Sequence, residues 1–148
     1  MSIIRSGTYT ITTFQSNMPV GRSPREDTST RPKPIIFSPD VGSSPTVFRI
    51  VVEDGPFARI MARNDPTAAI GGFVCAVPGR DQNTGERWII RPAGPEVFMI
   101  TRQDGTAWAL DWDSKQIMLA PMILAKDNED EASANAFPAS QAFFIRRV

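Results

Sequence analysis

The chain has 148 residues, with 16 lysines and arginines balanced by 16 aspartates and glutamates, and it contains no histidine. The balanced charge gives no overall field to attract nucleic acid or an anionic membrane. The missing histidine excludes Ser-His-Asp and Cys-His catalysis and histidine metal sites. The acidic residues occur mostly in turns, so we expect no enzyme activity, no cofactor and no bound metal.

This length fits one domain, residues 1–148, with enough buried surface for a stable core. No run approaches about 18 apolar residues, so no membrane span is predicted. The N-terminal residues lack the apolar segment of a signal peptide, and the single cysteine, Cys75, allows no internal disulfide. We therefore expect a cytoplasmic, monomeric protein that is stabilised by its apolar core.

The predicted elements are short strands. Residues 7–14 alternate and are rich in β-branched side chains, which is typical of a strand. Residues 38–45 are predicted as a loop and residues 64–66 as a turn. No segment shows a sustained 3.6-residue period, so ten to twelve strands predict an all-β barrel or sandwich. The predicted strands are 7–14, 18–20, 34–37, 46–52, 57–61, 73–77, 87–91, 97–100, 108–112, 117–120 and 143–146.

An aromatic-x-isoleucine pattern recurs three times, at Phe48-Arg49-Ile50, Trp88-Ile89-Ile90 and Phe143-Phe144-Ile145. Such internal similarity is typical of repeat architectures. Three repeats of about four strands predict a β-trefoil of about twelve strands in three pseudo-repeats with long surface loops. The three aromatic residues and the three isoleucines should then form related layers of the barrel.

The segment Gly21–Pro34, called the basic loop here, has no large apolar residue but contains three arginines, one lysine and three prolines. Neither helical nor strand periodicity fits it, so a surface loop is predicted. Proline fixes φ and favours an extended backbone in the residue before it. We expect a stiffened, extended peptide that presents its basic side chains outward.

The chain resembles the mushroom β-trefoil serine protease inhibitors, the cospin and cnispin group. The layout of strands is similar over the whole chain, and motif-level similarity is confined to the first forty residues. The resemblance implies a reversible inhibitor of trypsin-like serine proteases as the function. The matching residues are Gly7-Thr8-Tyr9-Thr10-Ile11, Gly21-Arg22, Glu26-Asp27, Ser29 and Pro32-Lys33.

Two reactive positions follow from the resemblance. Some members place the reactive residue between the second and third strands, which corresponds to about Arg25, and others use a lysine between the last two strands, which corresponds to Lys126. An Arg or Lys on a preshaped loop suits the carboxylate at the bottom of a trypsin-like specificity pocket. The resemblance does not choose between the two positions.

Taking the resemblance and the flanking residues together, we rank Arg25 first, Lys126 second and Arg22 third as the reactive residue. Arg22 is followed by a small residue and then by proline, and Arg31 is discounted because Pro32 follows it directly. Support for the loop is expected from Pro24, Glu26 and Asp27.

Two other functions stay open at this point. A trefoil inhibitor of papain-type cysteine proteases would use a different loop, for which residues 40–45 are available. A carbohydrate-binding trefoil could use Trp108 and Trp112 with the interleaved Asp111 and Asp113. The Gln-x-Trp repeats of ricin-type lectins are absent, and packing in the core or at a hairpin is the simpler interpretation of these tryptophans.

Overall fold

The computed structural model describes residues 3–42, 45–80, 85–123 and 138–148. These ranges contain twelve strands, one short α-helix, α1 (Pro39–Gly42), and one 3₁₀ turn, Ala139–Gln141. Neither helical segment in the described part of the chain is long and apolar enough to cross a membrane. The strands are β1 (Gly7–Thr13), β2 (Pro19–Arg22), β3 (Lys33–Phe37), β4 (Phe48–Val52), β5 (Phe57–Ala62), β6 (Asp65–Ile70), β7 (Phe73–Ala76), β8 (Trp88–Gly94), β9 (Val97–Thr101), β10 (Thr106–Asp111), β11 (Gln116–Pro121) and β12 (Phe143–Arg147).

Six of these strands close into a ring. Antiparallel pairing runs from β1 to β4, β5, β8, β9 and β12, and then back to β1. A closed ring leaves no strand edge unpaired, so it does not offer a template for aggregation. Isoleucines face each other at three equivalent places in the ring: Ile11 and Ile145, Ile50 and Ile60, and Ile90 and Ile100.

The other six strands form three hairpins, β2–β3, β6–β7 and β10–β11. Each hairpin lies in the sequence between two strands of the ring, so the order of ring strand, hairpin and ring strand occurs three times. The second strands of the hairpins, β3, β7 and β11, also pair with one another. The all-β architecture predicted from the sequence is therefore confirmed.

The aromatic residues of the three repeated motifs lie in one core. Phe48, Trp88 and Phe143 are fully buried, and Trp108 packs edge-on against both Trp88 and Phe143. T-shaped pairs of this kind add stability beyond the area they bury. Of the three motif isoleucines, Ile50 and Ile145 are buried in this core, whereas Ile90 is only partly buried and packs against it.

Strand β6 was not predicted, and the predicted turn at 64–66 is displaced. The turn consists of Arg63 and Asn64, both with positive φ, and Ala62 pairs directly with Asp65 across it. Two central residues with positive φ give the tight turn that matches the twist of a hairpin. Pro66 is the second residue of the strand, next to the turn, and its carbonyl still accepts the Val77 N–H at 2.8 Å. The predicted loop at 38–45 includes α1.

Candidate functional site

The basic loop projects from the β2–β3 hairpin, and only residues 23–32 lie outside the two strands. Its four basic side chains divide into two pairs. Arg22 and Lys33, at the ends of the strands, are buried, and Arg25 and Arg31 are exposed. The prediction that the loop presents its basic side chains outward is therefore right for Arg25 and Arg31 and wrong for Arg22 and Lys33.

Arg22 is buried because its guanidinium connects the loop to the next repeat. Its Nε and Nη2 donate to the two carboxylate oxygens of Glu26 at 3.0 and 2.9 Å, and its Nη1 donates to Asp65 Oδ2 at 2.7 Å and to the Ala62 carbonyl at 2.9 Å. Bidentate arginine–carboxylate pairs are among the stronger hydrogen-bonded pairs in proteins. We call this group, Arg22, Glu26, Asp65 and the Ala62 carbonyl, the arginine brace.

Burial and pairing act in opposite directions on Arg22. Burial lowers the pKa of Arg22, but the hydrogen bonds and charges of Glu26 and Asp65 outweigh it, so the net shift is upward. The side chain is 7% exposed and always carries its charge. In this arrangement Arg22 holds the loop to the barrel, and its guanidinium does not face solvent where a partner could bind it.

The backbone at the base of the loop is fixed as well. The Arg22 N–H donates to the buried Thr46 hydroxyl at 2.8 Å. This close approach requires glycine at position 21, since a Cβ there would lie 2.5 Å from Thr46 Cβ and 2.9 Å from Val41 Cγ1. The conspicuous Gly21-Arg22 pair of the sequence is thus explained by packing.

A second clamp closes the other end of the loop. The buried Lys33 ammonium donates to Asp27 Oδ1 and, at 3.1 Å, to the Ser29 hydroxyl. The same Asp27 oxygen accepts the Ser29 N–H and hydroxyl at 3.0 and 2.6 Å. The hydrogen bond from Lys33 and then those from Ser29 hold the pKa of Asp27 well below its ordinary value. Asp27 therefore remains ionised and keeps this end of the loop in place.

Acid should release this clamp only at low pH. Because the folded-state pKa of Asp27 is depressed, its contribution is complete above the ordinary value of 3.8 and is lost as the pH falls through the folded-state pKa. We expect the ¹³C carboxyl resonance of Asp27 to titrate with a midpoint clearly below pH 3.8. In Lys33→Met this midpoint should move to higher pH. A midpoint of 3.8 or higher in the wild type would contradict the clamp.

Arg25 lies at the turn between the two clamped ends. Its side chain is 76% exposed, and its Nη1 donates to Asp40 Oδ2 of α1 at 2.9 Å. Its N–H donates to the Ser23 hydroxyl at 3.0 Å, and Pro24 and Arg25 form a turn instead of the extended peptide predicted. The turn brings Arg22 and Glu26, four residues apart, close enough to pair with each other. The basic side chain is nevertheless presented to solvent.

The other predicted positions have different outcomes. Glu26 and Asp27 take part in the two clamps, and Pro24 is an exposed turn residue. Lys126 lies outside the described residues. Asp65, Thr46 and Asp40 are contacts of the loop that the sequence analysis missed, because each is far from its partner along the chain.

The tryptophans do not assemble the sugar site considered from the sequence. Trp108 is fully buried, and its strand ends at Asp111, before Trp112. Trp112 is 41% exposed, but it packs edge-on against Phe37 at 5.0 Å and Lys115 Nζ lies 4.7 Å from its ring centroid. The two indoles therefore have separate packing roles.

A polar cavity of about 550 Å³ lies elsewhere, lined in part by Arg59, Arg87 and Arg102. Glu53 pairs with Arg59 at 2.8 Å and with Arg87 at 3.2 Å, and Asp104 pairs with Arg102 at 2.6 Å. The hydrogen bond from Arg59 is the largest factor lowering the pKa of Glu53. Each of these three guanidinium groups already has a carboxylate partner among the described residues. Among the described residues, no cluster of acidic or cysteine side chains suits a metal ion.

A comparison with protein families shows which family the chain belongs to. The profile of the peptidase inhibitor I66 family matches residues 1–147. The chain belongs to the peptidase inhibitor I66 family. As a family member it is a peptidase inhibitor and not an enzyme, as the sequence predicted, and its partner is a protease. A search of curated proteins finds no match.

Solved structures agree on the fold of this I66 family member. A proteinase inhibitor from Coprinopsis cinerea superposes with a TM-score of 0.81 at 24% identity, covering 99% of this chain and 100% of the other. A salivary protein from Culex quinquefasciatus gives 0.71 at 14% identity, with 100% and 98% covered. The designed threefold symmetric protein ThreeFoil gives 0.66 at 13% identity, with 96% and 99% covered. Together with the family match, the first of these confirms the resemblance to the fungal protease inhibitors.

Proposed function

We propose that this I66 family member is a reversible inhibitor of trypsin-like serine proteases that inserts Arg25 into the specificity pocket of the protease. The observation that carries the proposal is the exposed guanidinium of Arg25 on a turn that is held on both sides. A trypsin-like pocket ends in a carboxylate and selects a basic anchor. Arg25 is the basic residue of the turn whose charge faces solvent.

The proposal also concerns the architecture, which we take to be a β-trefoil. Three features support it: the closed ring of six strands, the three mutually paired hairpins, and the threefold occurrence of facing isoleucines. The likeness to a designed protein with threefold symmetry supports it further. A trefoil carries its functional differences in loops on a rigid barrel, and the basic loop is such a loop.

Preorganisation supports binding through this loop. The arginine brace holds the residues before and after the turn, and Lys33 holds Asp27 and Ser29 beyond it. A loop that is already ordered loses little conformational entropy on binding, so more of the contact energy appears as affinity. Lys126 is the second position proposed for the reactive residue, and the complex would contain one inhibitor monomer per protease.

The class of target is tested by measuring inhibition constants for trypsin, chymotrypsin and papain with the wild-type chain. Chymotrypsin is the matched control, since its pocket is an apolar slot in place of one that ends in a carboxylate. We expect inhibition of trypsin and at least tenfold weaker inhibition of chymotrypsin. Inhibition of papain alone would reject the proposal in favour of a cysteine protease inhibitor acting through residues 40–45, the alternative considered from the sequence.

Neutralising Asp40 should not weaken inhibition. Arg25 must leave Asp40 to enter a protease pocket, and an exposed ion pair of this kind is worth only about 0–1 kcal/mol. We therefore expect Asp40→Asn to bind trypsin as tightly as the wild type or up to about fivefold more tightly. The trypsin inhibition constant checks this, with Asp54→Asn as the control at an exposed acidic residue of another turn. A tenfold loss of affinity in Asp40→Asn would show that the carboxylate supports the binding conformation.

A further inference from the structure

We propose that the arginine brace spans the peptide bond that a protease bound at Arg25 would cut, and that it protects the chain from being consumed as a substrate. This inference rests on the proposed function. The bond in question joins Arg25 to Glu26. Arg22 lies on one side of the bond and Glu26 on the other, and they are joined by the 3.0 and 2.9 Å hydrogen bonds described above.

The contacts make this connection firm. The side chains of Arg22 and Glu26 are 7% and 12% exposed, so the pair is largely shielded from water and from screening by salt. Asp65 and the Ala62 carbonyl hold the same guanidinium from the neighbouring hairpin at 2.7 and 2.9 Å. A cut after Arg25 would therefore leave both new chain ends attached to the barrel.

The chemistry of the protease then works in both directions. In the forward step the catalytic serine gives its proton to the catalytic histidine and its oxygen bonds to the Arg25 carbonyl carbon. The bond to the Glu26 nitrogen breaks, and that nitrogen takes the proton from the histidine and leaves as an amine. In the reverse step the amine gives a proton to the histidine and attacks the ester carbon, and the expelled serine oxygen takes the proton from the histidine. An amine held at the acyl group makes the reverse step effectively unimolecular, and the peptide bond is restored.

The Lys33 clamp acts on the same side as the new amine. It fixes Asp27 and Ser29, the first and third residues after Glu26. The segment that begins with the new amino group is therefore attached at Glu26 through the brace and again just beyond it. Water would have to attack the acyl group before the held amine does, so hydrolysis is slow compared with resealing.

Each variant is incubated with a catalytic amount of trypsin, and cleavage after Arg25 is followed by mass spectrometry. The final ratio of cut to intact chain is measured twice, starting once from the intact chain and once from the cut chain. Glu26→Gln removes the charge of the carboxylate that pairs with Arg22 and keeps the size of the side chain almost constant. We expect cleavage after Arg25 to be at least tenfold faster than in the wild type, the final ratio to shift at least tenfold towards the cut form, and inhibition to fade with time. Glu26→Asp keeps the charge but shortens the side chain. Its cleavage rate and final ratio should lie between those of the wild type and Glu26→Gln.

Glu53→Gln is the matched control, since Glu53 is likewise a glutamate paired with arginine, here with Arg59 and Arg87, but lies outside the loop. It should be cleaved after Arg25 as slowly as the wild type. Melting curves identify any variant whose fold is lost, and the cut-to-intact ratio is a readout that a purely structural role would not move. If folded Glu26→Gln is cleaved no faster than the wild type and its cut-to-intact ratio is unchanged, the proposed protective role of the brace is wrong. If inhibition instead does not depend on Arg25 at all, it is the proposed function that fails.

Discussion

Replacing Arg25 with alanine should weaken trypsin inhibition by at least about thirtyfold, which corresponds to about 2 kcal/mol. The anchoring guanidinium would lie against a carboxylate in a desolvated pocket, the situation in which one residue dominates an interface. The protein itself should remain intact, because the Arg25 side chain is 76% exposed and its ion pair with Asp40 is at the surface. We expect the free energy of unfolding to change by less than about 0.5 kcal/mol.

The measurement is the trypsin inhibition constant of Arg25→Ala, Lys126→Ala and the double mutant. Arg31→Ala is the matched control, since Arg31 is an exposed arginine of the same loop and is followed directly by Pro32. Loss of inhibition in Arg25→Ala alone shows that the protease binds the basic loop through Arg25. Loss of inhibition in Lys126→Ala alone shows that it binds through Lys126. Loss only in the double mutant would mean two independent reactive loops. Wild-type inhibition by the double mutant would reject the mechanism.

Much of the fold could be predicted because its ring strands have local signals. Strand β1 alternates over its whole length, and the aromatic-x-isoleucine segments of β4, β8 and β12 are strongly apolar. Strand β6 has no such signal, since its sequence is Asp-Pro-Thr-Ala-Ala-Ile and proline usually argues against a strand. It forms because the β5–β6 turn and the adjacent β7 provide its hydrogen-bond partners, and this is information from the tertiary structure.

The candidate site divides in the same way. Composition and proline placement were enough to predict a surface loop with Arg25 on it. The burial of the Arg22 and Lys33 side chains was not predictable, because a charged side chain is buried only where the fold supplies partners for it. Arg22 meets Asp65 across 43 positions of sequence and Thr46 across 24. Glu26 was predicted to support the loop, but its pairing with Arg22 was not predicted, although the two residues are only four positions apart.

The same contacts predict opposite roles for two arginines that are three residues apart. Replacing Arg22 with alanine should lower the free energy of unfolding by about 3 kcal/mol, since removing one member of a buried charged group leaves the others without compensation. Glu26, Asp65 and the Ala62 carbonyl would all lose a donor. An unpaired buried acceptor retains its full desolvation cost.

Urea unfolding of Arg22→Ala and Arg25→Ala under identical conditions measures this difference, because the two variants lose the same side chain from one loop. A loss near 3 kcal/mol at position 22, with less than about 0.5 kcal/mol at position 25, would separate the residue that holds the loop from the residue that is presented to a protease. Equal and small losses at both positions would show that the brace contributes little to the fold. In that case the remaining contacts, among them the Lys33 clamp and the Arg22 backbone contact with Thr46, would be enough to hold the loop in place.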